Sequence, residues 1–310
     1  MSPSSVEDSD GGCVTVFEGR WIMNSHGFSV RIFIPSGNPD ALRIIEKSNW
    51  IGQGVFFPRA LFAEARQRDE LKRTGVYVLW GVGESGQLLR IYVGEGDCVL
   101  SRLDQHARQK DFWTHAVVFT SKDQNLNKAH VKYLEARLVQ LATDAKRAEL
   151  DNGTMSQLPT LSEADKADAE AFLRDMLLCL PLLGLNVFEK AKVSGKQSSD
   201  LILRGKGIEA RGQDTAEGFV VRAGSLAAKE DLPSSHDYVK ELRRALLTQG
   251  VFVDEGTHYR LTQDYTFNSP STAAAVMLGR TANGRTEWKD AQGRTLKEIQ
   301  EADSRELGSQ

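Results

Sequence analysis

Two runs of β-branched and aromatic residues, VYVLWGV (76–82) and LLRIYVGE (88–95), flank the polar, glycine-bearing stretch GESGQ (83–87). Such residues suit a pleated surface better than a helix, so the two runs are expected to pair as a hairpin. Upstream, period-two alternation in VTVFEGRWIM (14–23) and FSVRIFIP (28–35) about the Asn24 to Gly27 turn predicts another strand pair. SGNPD (36–40) reads as a second turn, and HAVVFTS (115–121) as a further strand. Between these, residues 59–72 carry Leu61, Phe62, Ala65 and Leu71 at helical spacing and predict a short surface helix.

Helical periodicity dominates elsewhere. Residues 99–109 place Leu100, Leu103 and Ala107 inward behind Asp97 as a possible N-cap. Residues 125–150 carry the stripe Val131, Leu134, Leu138 and Leu141, which needs a core to face. A third helix over 161–184 opens with Ser162 and Asp165 as a capping box and stops near Pro181 and Gly184. Farther on, LILRG (201–205), GIEARG (207–212) and GFVVRAG (218–224) read as short strands before a helix from Ser235 to about Thr248. A hairpin is expected across Glu255 and Gly256, then a helix over 270–278 with Ser269 as cap, Pro270 in its first turn and Gly279 as its stop. A last hairpin at Asn283 and Gly284 leads through Trp288 to a polar C-terminal helix.

Hairpins and further strands interspersed with helices read as an α+β chain: a small antiparallel or mixed sheet flanked by helices, plus a second small α+β domain. The expected division is a flexible tail (1–13), a first domain (14–188) with an N-terminal strand extension and a closing helix, a Ser-, Lys- and Gly-rich linker (189–200), a second domain (201–301) and a tail (302–310).

Composition excludes several classes. No apolar run approaches the ~20 residues of a spanning helix, so no membrane partner is expected. Cys13, Cys98 and Cys179 lie far apart, which gives neither a disulfide framework nor a zinc ribbon and favours a reducing, cytoplasmic compartment. Lys plus Arg number 19 against 18 Asp plus Glu in residues 1–150, and 20 against 24 in the remainder. Neither half is a general magnet for nucleic acid, so any such binding must use a local patch.

One ordered set of polar residues stands out: Gly75-Val76-Tyr77, then Tyr92-Val93-Gly94, then Arg102 with His106, then Glu135, then Asn152. In this order residues 70–155 resemble the GIY-YIG nuclease superfamily, with Val in place of the middle Ile of both tripeptides. The flanking strands and the 161–184 helix resemble an elaboration of one bacterial and archaeal branch. The resemblance implies a divalent-metal-dependent endonuclease that hydrolyses phosphodiesters of DNA. Glu135 would hold Mg²⁺ (or Mn²⁺), Arg102 would fork onto phosphate oxygens, and Tyr77 with His106 would position and deprotonate water. Tyr92 would orient phosphate or water, and Asn152 would hydrogen-bond near the metal. Such roles suit the residue types, because Mg²⁺ needs only one or two carboxylates and a guanidinium donates bidentately.

Lys128 and Lys132 on the long helix are further candidates for contact with substrate. Residues 217–301 resemble a small uncharacterised C-terminal domain that accompanies such cores. There Arg280, Arg285, Trp288 and Lys289 mix cationic and aromatic character as nucleic-acid surfaces do. A core that reads phosphate rather than base leaves RNA open as a substrate beside DNA. The alternative is a non-catalytic nucleic-acid-binding or regulatory protein with the same fold. Oligomeric state is not legible from the sequence.

Overall fold

The computed structural model describes residues 27–83, 86, 88–123, 125–153, 157–190 and 200–307. The expected tail (1–13), the strand over 14–23, most of the Asn24 to Gly27 turn and the linker over 191–199 lie outside the described residues.

The chain is a mixed α+β protein. In its first part, β1 (Val30–Phe33), β2 (Arg43–Lys47), β3 (Gly52–Pro58), α1 (Phe62–Ala65), β4 (Gly75–Val82), β5 (Leu89–Gly96), α2 (Val99–Gln109), β6 (His115–Ser121), α3 (Lys128–Ala145), β7 (Ala148–Leu150) and α4 (Glu163–Cys179) follow in order. The strands form one seven-stranded sheet, β1-β2-β3-β6-β4-β5-β7, antiparallel except for the β5–β7 pair. It is larger than expected because β2 and β3 carry little strand signature in the sequence. Gly52 and Gly54 of β3 look like breakers, yet the Trp50 and Phe119 rings fill the space where their Cβ atoms would sit, at 2.2 and 2.9 Å.

The expected helix over 59–72 is a single turn, α1, between 3₁₀ turns at Arg59–Leu61 and Asp69–Lys72. Arg68 adopts an extended backbone there and its guanidinium reaches back onto Glu70 at 2.6 Å. At the start of α2 the cap is Cys98, which makes no side-chain capping bond, rather than Asp97.

Strand alternation splits the buried residues between two layers. Tyr77, Leu79 and Val118 pack with Val99 and Leu103 of α2 on one face. Val76, Val78, Ile91 and Val93 pack with Leu134 and Leu138 of α3 and Phe172 of α4 on the other. The α4 cap is as the sequence predicts, with Ser162 Oγ accepting from the Asp165 amide at 3.1 Å.

The second part holds β8 (Leu201–Gly205), β9 (Ile208–Thr215), β10 (Gly218–Val221), β11 (Leu226–Ala228), α5 (Asp237–Thr248), β12 (Phe252–Asp254), β13 (His258–Leu261), β14 (Tyr265–Phe267), α6 (Pro270–Leu278), α7 (Gly284–Glu287) and α8 (Leu296–Leu307). Two sheets, β14-β10-β9-β8 and β11-β13-β12, share a core that includes Phe219, Phe252, Phe267, Met277 and Trp288. Ser269 caps α6 through the Thr272 amide, and Gly279 closes it at φ 61°.

Asn283-Gly284 is not a hairpin. Asn283 Oδ1 accepts from the Arg285 amide at 3.0 Å and starts α7, while Gly284 presses so closely on Pro270 that a Cβ would lie 2.1 Å from its carbonyl carbon. The expected tail from 302 is helical as far as Leu307. Two polar ties join this part to the end of α3: Gln263 Nε2 donates to the Ala145 carbonyl at 2.9 Å, and Lys146 Nζ to the Gly250 carbonyl at 3.0 Å. Among the described residues no helix is long and apolar enough to cross a membrane.

Candidate active site

The site is built on the part of β5 that β7 leaves uncovered. β7 pairs with Leu89, Arg90 and Ile91 and then ends. Asn152 takes its place beside Val93, its Oδ1 accepting from the Val93 amide at 3.0 Å and its Nδ2 donating to the Val93 carbonyl at 2.7 Å. Both ends of the Asn152 amide are engaged by the β5 backbone, where it prolongs the sheet by one residue. Beyond it the edge at Gly94–Gly96, though buried, is open in the sense that no strand pairs with it on that side among the described residues.

On the α2 face, pairing sets Tyr77 opposite Gly94 and Tyr92 opposite Leu79, with ring centroids 6.3 Å apart. A Cβ at Gly94 would lie 2.4 Å from the Tyr77 hydroxyl, so this position admits the tyrosine only because it is glycine. Arg102 and His106, one turn apart on α2, point back at this pair. The Tyr77 hydroxyl and His106 Nε2 share a hydrogen bond of 2.8 Å, and the imidazole lies 4.6 Å from the Tyr92 ring centroid. Gly96 lets the Arg102 stem pass, a Cβ there lying 3.1 Å from Arg102 Cγ. The Arg102 side chain is exposed and makes no hydrogen bond or ion pair among the described residues.

Burial sets the protonation of this group. His106 is 7 % exposed, and desolvation, helped by the charges of Lys110 and Arg102, pushes its pKa down to about 4. The imidazole is therefore neutral at pH 7. Burial, with Tyr92 beside it, raises the Tyr77 phenol well above its usual value, so it too is neutral. His106 Nδ1 is buried with no partner among the described residues, which leaves the direction of the proton in the shared bond to the tautomer.

The α3 face supplies the acidic part. Val131, Leu134 and Leu138 bind α3 to the sheet, and Glu135 follows Leu134 toward the edge. Its carboxylate accepts no hydrogen bond from the described residues. Burial and the charge of Glu95 raise its pKa to about 7. Arg102 opposes that rise and also acts on Tyr77 and Tyr92, so the two faces meet in one field around the open edge.

Because Glu135 holds a proton in the folded chain at pH values where the unfolded chain has released it, stability falls as pH rises from about 4.5 to about 7. A Glu135→Gln variant in chelator escapes that loss. Its Tm advantage over wild type is expected to widen between about pH 5 and pH 8, reaching ~2–4 °C once solvent screening of a half-buried group is allowed for. A constant difference across that range would mean the carboxyl is not shifted.

Glu95, Lys110 and Asp151 were not read from the sequence as site residues. Glu95, which directly follows the second tripeptide, is 8 % exposed and ion-paired to Lys128 at 2.6 Å. Lys128 is also 3.5 Å from Asp97, and Lys132 is exposed. Asp151 joins Arg90 of β5 to Lys110, whose ammonium lies 4.4 Å over the Tyr92 ring. Adjacency to Asn152 was the only sequence signal for Asp151.

Of the four cationic and aromatic candidates of the C-terminal part, Arg285 and Lys289 are exposed and Arg280 is half-buried, but the aromatic one is not at the surface. Trp288 is 0 % exposed, packs on Phe219 and donates to the Pro270 carbonyl at 3.0 Å, so it belongs to the core. Arg280 is paired with Glu287 at 2.7 Å, Arg285 donates to Gln300 at 3.1 Å, and Lys289 is held by backbone bridges to Ile202 and Thr295.

Among the described residues no three His, Cys, Asp or Glu side chains gather as a metal cluster. Residues 201–300 match a family described as a domain of unknown function, DUF4357. No curated protein and no solved structure matches the chain.

Proposed function

We propose that this chain is a divalent-cation-dependent endonuclease of the GIY-YIG type that hydrolyses phosphodiester bonds of DNA. The observation that carries the reading is the buried 2.8 Å pair of Tyr77 and His106, set at an open sheet edge between an unpaired guanidinium and a carboxylate with no donor.

The donor set fits a hard cation. Glu135 has an oxygen ligand's chemistry and no direct ion pair among the described residues, and a tethered ammonium, Lys128, already pairs with its neighbour Glu95. When bound, Mg²⁺ or Mn²⁺ would neutralise phosphate charge and stabilise the oxyanion. The remaining work falls to the chain. Arg102 donates its fork to non-bridging oxygens of the scissile phosphate, where added charge develops in the transition state. The Tyr77 hydroxyl is too weak an acid to act as a tyrosinate at neutral pH. It positions the attacking water and takes its proton while giving its own to neutral His106. Lys110 beside the ring and Asn152 on the backbone hold Tyr92 in place.

Purified protein is expected to nick or linearise supercoiled plasmid with Mg²⁺ or Mn²⁺, to stop in chelator, and to lose the activity in Tyr77→Phe and His106→Ala variants that retain the wild-type Tm. Cleavage in chelator would remove Glu135 from its role. Binding of duplex without cleavage under any divalent cation would sink the catalytic reading in favour of a binding protein.

A further inference from the structure

We infer that Glu95 is a second carboxylate ligand for the cation that Glu135 takes, and that Lys128 is the built-in counter-ion which that cation displaces. The inference rests on the cation reading of Glu135 and adds a residue to it. Alternation along β5 puts Tyr92 and Gly94 on the α2 face, and Val93 and Glu95 on the α3 face where Glu135 also lies. Both carboxylates therefore sit on the same side of the same open edge, close enough for their charges to act on each other.

A carboxylate left only 8 % exposed is costly unless paired, and Glu95 meets that cost with one partner, the Lys128 ammonium at 2.6 Å. That ammonium is a poor fixture. Its side chain is 43 % exposed, it stands at the first position of α3 on a flexible stem, and it is shared with Asp97 at 3.5 Å. Among the described residues no cation pairs directly with Glu135, on which Arg102, Lys128 and Lys132 act only at longer range. A divalent ion between the two carboxylates would compensate both and free Lys128 to swing toward solvent, or toward a phosphate of the bound strand. Two carboxylates are within the number Mg²⁺ and Mn²⁺ ordinarily accept from a protein while keeping their waters.

The test is Mn²⁺ binding to the full chain without DNA, followed by calorimetry and by the loss of the free-ion electron paramagnetic resonance signal at about pH 8. Glu95→Gln is expected to weaken Mn²⁺ binding at least tenfold, and Lys128→Met to tighten it severalfold, each with a cooperative thermal transition confirming the fold. Glu135→Gln is the reference. If it abolishes binding while Glu95→Gln binds like wild type, the second-ligand inference is wrong and the cation reading stands. Wild-type affinity in both carboxylate variants would overturn the cation reading itself. Weaker binding in Lys128→Met would make the lysine a support of the site rather than a displaceable counter-ion.

Discussion

Arg102→Ala is expected to lower plasmid cleavage by ~10²–10³-fold, the scale on which removal of one preorganised donor to a developing oxyanion is felt. Its stability stays within about 0.5 kcal/mol of wild type, because the side chain is exposed and makes no hydrogen bond or ion pair among the described residues. An unpaired guanidinium beside a half-buried carboxylate, two tyrosines and a histidine gives the folded chain little, which is the signature of a group held for a ligand. Arg102→Lys is expected to recover less than a tenth of the lost rate, since an ammonium keeps the charge but cannot donate along two parallel bonds. Single-turnover cleavage with saturating Mg²⁺, beside a thermal melt of each variant, separates the effects. A Lys variant as active as wild type would reduce Arg102 to general attraction. An Ala variant that cuts normally would remove it from the site.

The second large effect is steric. Gly94→Ala sets a methyl group 2.4 Å from the Tyr77 hydroxyl and Cζ, closer than any packed carbons approach. Tyr77 is 1 % exposed, so its ring has no empty space to swing into. The strain must move either the ring or β5, and both separate the hydroxyl from His106. Cleavage is expected to fall ~10²-fold or more, the scale attached to misplacing a reacting group by an ångström. Overpacking of this kind costs ~1–3 kcal/mol, or ~2–8 °C in Tm. Gly153→Ala, where a Cβ meets nothing within 4 Å, is the control and should match wild type in both assays. If Gly94→Ala retains full activity, the Tyr77–His106 contact is not the working arrangement.

Much of this site is legible in the sequence because its geometry is local. The β4–β5 hairpin sets Tyr77 and Tyr92 by register, and the four-residue spacing of Arg102 and His106 on a well-marked helix fixes their common face. What the sequence hides depends on distant partners. Gly52 and Gly54 read as interruptions because the rings that fill their space, Trp50 and Phe119, are not apparent until the sheet has formed. Glu95 looks like a solvent-facing strand residue until α3 brings Lys128 and Glu135 against it. Asn152 reads as a turn former, and its two bonds to Val93 exist only because β7 stops short. Trp288 and Asn283-Gly284 mislead for the same reason, since each is explained by Pro270, which lies well upstream in the chain.

Helix α3 is eighteen residues and thus ~27 Å long, and its two ends serve different neighbours. Lys128 opens the helix and Glu135 lies near its middle, both toward Glu95 of β5, while the Ala145 carbonyl and Lys146 at the other end are gripped by residues of the segment that matches DUF4357. The helix that carries Glu135 is therefore tied directly to that segment at its far end, through two side chain-to-carbonyl hydrogen bonds. Any chain that keeps this core but drops the segment must find another handhold for the last turn of the helix.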